Sequence, residues 1–252
     1  MQQYPSATTD VNFPTIRITG GPQFEQHVPI ILRFIHQASA TRTGAAVIEG
    51  ILRNGNPREG VHIRSTFHAI NNAFTNPVGA RRNSDQPNST ETSLLNAPGS
   101  GAGSTIDYFP FEWPGIGSGG PGAARDEILL HELVHAYMIQ RGVSSVRNLH
   151  RRRYAQRVRS FDIVDDFFAV MITNVYASER GRPIRRDHRD VRHVLGRNAM
   201  SIATDPRFAP FFSALASGAP DLVTVLRSID TPFNPWRPRM ELIDAISVFD
   251  DP

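Results

Sequence analysis

Residues 131–135 read His-Glu-Leu-Val-His, inside a stretch whose apolar spacing predicts a helix. Two histidines four positions apart on a helix lie one turn apart on the same face. Their imidazoles can converge on one ion at about 2.0–2.1 Å each, the bond length zinc requires. Glu132, beside the first histidine, then falls next to the open coordination position. A carboxylate there can take a proton from a water molecule that the metal has made acidic. The chemistry that these residue types support at this spacing is metal-assisted hydrolysis.

The surrounding residues favour a real helix. Asp126 and Glu127 sit in its first turn, where acids meet the positive end of the dipole. Ile128, Leu129, Val134 and Met138 supply apolar faces, and Gly142 follows Arg141 where a C-cap is expected. A catalytic zinc takes three protein ligands and leaves one position open. The third ligand is expected on a later helix packed against the first, and 161–181 (FDIVDDFFAVMITNVYASERG) is the obvious source. Its acids are Asp162, Asp165, Asp166 and Glu179. Asp166 is preferred because a small residue, Ala169, follows one turn on; Asp165 and Glu179 stay open as alternatives. Tyr154, Tyr176, His188 and His193 all follow the motif and could stabilise an oxyanion, and sequence does not choose among them.

The elements that must position these groups form an α+β pattern. PTIRIT (14–19), VHIRST (61–66) and STIDYFPF (104–111) read as strands, the last as an edge strand against which an extended peptide could pair. Residues 24–40 and 45–55 read as helices, with Pro29 near the start of the first. The segment 75–104, rich in Asn, Ser, Pro and Gly, reads as a long loop. Helices are expected again at 209–217, 220–228 and 239–249. We therefore expect one domain over 1–252: a small sheet before the motif helix, a core over about 12–190, and a helical C-terminal extension over about 191–252.

Composition narrows the chemistry. Cysteine is absent, so any zinc must be held by His and carboxylates, which suits a catalytic site better than a structural one. No run approaches 18 apolar residues, so no membrane span is expected, and residues 1–13 lack the pattern of a secretory signal. All 27 basic residues are arginine. A GC-rich genome explains this; so would escape from ubiquitin attachment in a eukaryotic cell. The net charge of +3 is uneven: residues 141–200 hold 14 Arg against six acids, densest at 147–159. Such a patch can steer an acidic partner.

With these residues placed, LLHELVHAY (129–137), preceded by STIDYFP (104–110), resembles the zinc metallopeptidase effectors that bacteria inject through type III secretion. RFIHQASATRTGAAVIEGILRNG (33–55) is similar to them too. DDFFAVMITNVYASERG followed by PIRRDH (183–188) resembles metallopeptidase domains fused to type VI secretion spikes. The resemblance covers roughly residues 12–190 and implies a gluzincin-like zincin fold with one zinc ion. It implies His131 and His135 as ligands, Glu132 as general base, and Asp166 as third ligand where the family pattern has Glu. It further implies a secreted effector made in a bacterial cytoplasm, exported without a cleaved signal, and acting on a protein substrate. An immunity protein or a component of the secretion apparatus would be its partner. The competing expectations are an Arg-rich protein that binds nucleic acid or another acidic surface, and a pseudo-protease that acts by binding. Only Tyr154 lies within 147–159, so base stacking is poor and no specific nucleic acid is expected.

Overall fold

The computed structural model of the protein describes residues 8–10, 12–20, 25–54, 60–65, 73–78, 101–111, 121–144, 161–188 and 199–237. The sheet comprises β1 (Thr8–Thr9), β2 (Ile16–Gly20), β3 (Val61–Ser65), β4 (Phe74–Val78) and β5 (Gly103–Tyr108). Their order is β1-β2-β3-β5-β4. Strands β2, β3 and β5 run parallel, and β1 and β4 run antiparallel at the two edges. Ile16, Ile18, Val61, Ile63 and Ile106 recur with the period of two that puts them on one face, and all are buried.

Helices α1 (His27–Ser39) and α3 (Arg125–Gln140) pack against the sheet, and α2 (Arg42–Asn54) packs against both of them. Pro29 takes the third position of α1, where its missing N–H costs no hydrogen bond. Helix α3 carries the motif, and Gly142 adopts φ +67° just past its C-cap Arg141. That left-handed residue lets the Gly142 and Val143 N–H groups return to the carbonyls of Ile139 and Met138, at 2.9 and 3.0 Å.

Helix α4 (Val164–Glu179) packs against α3 and is buried on nearly every face. Short α5 (Ser201–Thr204), α6 (Ala209–Gly218) and α7 (Pro220–Arg227) complete the described helices. The ring of Phe167 on α4 lies against those of Phe161, Phe168, Phe208, Phe211 and Phe212, with centroids 4.9–5.8 Å apart. Aromatic packing of this kind fixes the rotation of a helix about its axis. Here it does so one residue from Asp166.

Two expectations need correction. STIDYFPF is not an edge strand: β5 lies between β3 and β4. The segment read as loop from residue 75 begins with β4, which is itself the edge. Pro77 lies in β4 and has no N–H to add to a ladder, which suits an edge position. The proposed helix at 239–249, the Arg-rich 147–159, Tyr154 and His193 lie outside the described residues. Among the described residues, no single helix is long and apolar enough to cross a membrane.

Glu179 has a structural task. Its two carboxylate oxygens accept the N–H groups of Arg42 and Thr43, at 3.0 and 2.9 Å, and so satisfy the start of α2. Glu179→Ala is expected to lower stability by about 1 kcal/mol, the usual cost of a lost N-cap. Urea unfolding of the two proteins would test this, and an unchanged midpoint would contradict the cap.

Candidate metal centre

The four-residue spacing of His131 and His135 brings their rings together on one side of α3. Their Nε2 atoms are 3.2 Å apart. Asp166, in the first turn of α4, places Oδ1 3.6 Å from the His135 Nε2. His188, beyond the end of α4, places Nε2 3.7 Å from the same oxygen. Tetrahedral bonds of about 2.05 Å put neighbouring ligand atoms about 3.3 Å apart. The His131–His135, His135–Asp166 and Asp166–His188 separations are close to that figure. His131, Asp166 and His188 form a cluster that could hold a metal ion, with ligand atoms all within 4.8 Å of one another.

Asp166 is positioned by its own helix. Its Oδ2 accepts the Ile163 N–H at 3.1 Å, which fixes the carboxylate at the α4 N-terminus and leaves Oδ1 toward the histidines. The two alternatives are committed elsewhere: Asp165 accepts the Ser144 hydroxyl at 2.6 Å, and Glu179 caps α2. Of the four oxyanion candidates, Tyr176 donates to Asp126 at 2.5 Å, whereas His188 joins the cluster. Asp162 holds the other side of the His188 ring, with Oδ2 3.2 Å from Nδ1.

Sequence reasoning missed two residues of this site. Thr75 on β4 donates its hydroxyl to the Glu132 carboxylate at 2.7 Å. Arg185 places Nη2 2.6 Å from His131 Nδ1. The signal for Arg185 was its nearness to His188 in PIRRDH. For Thr75 there was none, because its segment reads as loop.

Burial sets the protonation states. Removal from water pushes His135 down to about 3 and His131 well below the usual histidine range, and the Arg185 cation adds to both effects. Both rings are therefore neutral near pH 7, the form that ligates metals. Burial also raises Asp166, and it pushes Glu132 up to about 7 against the opposing hydrogen bond from Thr75. Arg185 is pushed down to about 10 by burial and stays protonated.

No protein-family model matches the chain, and no curated protein or solved structure is significantly similar to it.

The elevated Glu132 has a consequence for stability in the metal-free protein. A carboxyl whose folded pKa lies above 4.5 stabilises the fold fully below that pH, and loses the contribution as pH rises through about 7. Gln at this position cannot ionise. In chelator, the wild type is expected to lose on the order of 2–3 kcal/mol relative to Glu132→Gln between pH 4.5 and 8. Parallel pH profiles of urea stability for the two proteins would rule out a raised pKa.

Proposed function

We propose that this chain is a zinc-dependent endopeptidase, with His131, His135 and Asp166 as ligands and His188 as a further donor. The observation that carries the reading is the convergence of the two motif histidines, 3.2 Å apart, with an Asp166 oxygen 3.6 Å away beside a buried Glu132. The donor set is nitrogen and carboxylate oxygen with no thiolate, which suits a hydrolytic zinc. When bound, zinc supplies Lewis acidity that makes water a nucleophile near pH 7 and polarises a carbonyl.

The chain's own residues do the rest. Thr75 orients the Glu132 carboxylate. With a pKa of about 7, Glu132 is matched to accepting a proton from the attacking water and returning it to the leaving amine. The oxygen adds to the scissile carbonyl carbon and the C–N bond breaks. Among the described residues no strand lies beyond β4 on the side away from β5, so an extended peptide could pair with that edge next to Glu132.

The zincin-like architecture and the effector role belong to the same proposal. They rest on the motif, on the mixed sheet that precedes its helix, and on the resemblance to type III and type VI secreted metallopeptidases. The arginine surplus over 141–200 supports an acidic protein target.

The test is metal content by elemental mass spectrometry, together with the new N-termini generated in cell lysates. Wild type is expected to carry about one zinc and to cut internal peptide bonds. Glu132→Ala keeps the metal and loses cleavage; His135→Ala and Asp166→Ala lose the metal; Glu179→Ala keeps both. A wild type free of metal after dialysis against zinc would sink the reading. Zinc without cleavage in any lysate would favour a pseudo-protease.

A further inference from the structure

Two histidines of the cluster, His188 and His131, have opposite outer partners. Asp162 faces His188 Nδ1 at 3.2 Å, and a carboxylate can only accept. His188 therefore carries its proton on Nδ1 and offers the Nε2 lone pair to the site. This is the arrangement regularly found behind a metal-ligating histidine. Arg185 faces His131 Nδ1 at 2.6 Å, and a guanidinium can only donate. His131 therefore offers its Nδ1 lone pair to Arg185 and carries its proton on Nε2, the nitrogen that faces His135. The 3.2 Å contact between the two Nε2 atoms agrees, since one of them must be N–H and the other a lone pair. One hydrogen-bonded chain thus runs from Arg185 through His131 to His135. It uses up both Nε2 positions on α3.

We propose that Arg185 competes with the metal for His131, so that loading the site requires the guanidinium to withdraw from that ring. The inference rests on the metal-site reading of the motif. A ligand bond at His131 Nε2 forces the ring proton onto Nδ1, where it would point at a guanidinium N–H 2.6 Å away. Two donors cannot share that distance.

The structure gives Arg185 little else to hold. Among the described residues no carboxylate oxygen lies within ion-pair reach of it, and its Nε is buried without an acceptor. Its backbone N–H and C=O are both bound to the Asn174 side chain, at 3.0 and 2.8 Å. Its stem lies against Gly122, where a Cβ would come within 2.6 Å of Arg185 Cδ. With backbone and stem held, any change in the contact with His131 falls to the guanidinium tip. Glu127, Glu132 and Asp187 are the acids outside the proposed ligand set whose charges reach it. His188, whose Nε2 lone pair already faces the site, then meets an incoming ion before His131 does.

The test is zinc affinity at one pH, by competition with a fluorescent chelator, for metal-free wild type, Arg185→Met and Asp162→Asn. Arg185→Met should bind zinc about tenfold tighter, and Asp162→Asn about tenfold weaker, the usual effect of an outer partner. Simple damage to the site would weaken both. Equal or weaker binding by Arg185→Met overturns the competition. Nitrogen-15 histidine spectra of the metal-free wild type test it without any variant. They should place the proton of His131 on Nε2 and that of His188 on Nδ1; a proton on Nδ1 of His131 overturns the proposal. If none of the three proteins binds zinc while His131 shows the Nε2 proton, the metal reading itself fails, and the competition with it.

Discussion

Helices α3 and α4 have almost no face open to water, and this governs the centre of the molecule. A buried polar atom without a partner costs roughly 1–3 kcal/mol, and a buried charge costs more. Each polar side chain on these helices must therefore be answered from inside the protein. Asp126 and Glu127 are answered by Arg182, at 2.8–3.0 Å, and Asp126 also by the Tyr176 hydroxyl. Asp165 is answered by Ser144. These pairs are closed and lock the helix ends together. His131, His135 and Asp166 are different, because they largely meet one another and His188. A cluster of lone-pair bearers in a dry interior is unfavourable alone and favourable around a cation. That contrast separates the site from the ion pairs around it.

The groups that complete the cluster come from outside the two helices, on backbone held by strand pairing or by the Asn174 side chain. Thr75 arrives from an edge strand held in register with β5. Arg185 and His188 come from the segment after α4, which the Asn174 side chain pins to the helix through both backbone groups of Arg185. A helix, a strand and a pinned turn thus converge on a few ångströms. Preorganisation of this kind is what hydrolytic chemistry requires, since groups that must reorient during reaction lose the electrostatic advantage.

Most of the frame was legible in the sequence. The helix at 125–140, its glycine cap and the shared face of His131 and His135 follow from spacing alone, as do both strands of β2 and β3 within a residue or two. Preference for Asp166 followed from the small residue, Ala169, one turn further along the same helix. What escaped is long-range. Strand β4 contains Asn76 and Pro77, residues that disfavour strands, and it forms because β5 offers a partner edge. Glu179 is an acid on the correct helix, yet its side chain reaches α2, 136 residues away in sequence. No local pattern separates a ligand from a cap across that distance. Arg185 was passed over although it lies close to His188: an arginine in an arginine-rich stretch reads as surface, and only the fold reveals that it is buried.

The aspartate at position 166, where the resembled families have glutamate, now has a physical account. The acid lies in the first turn of α4, and one of its oxygens is bound to the N–H of Ile163 at the helix start. A carboxylate one bond from Cβ can make that contact and still present its second oxygen 3.6 Å from His135. The shorter side chain is also the stiffer one, so fixing it sacrifices less rotamer entropy than a glutamate would. The helix start thus supplies the restraint, and the shorter reach is met by the close packing of α3 on α4, held from behind by the ring cluster at Phe167. The departure from glutamate is therefore consistent with a ligand, because position on the helix compensates for length.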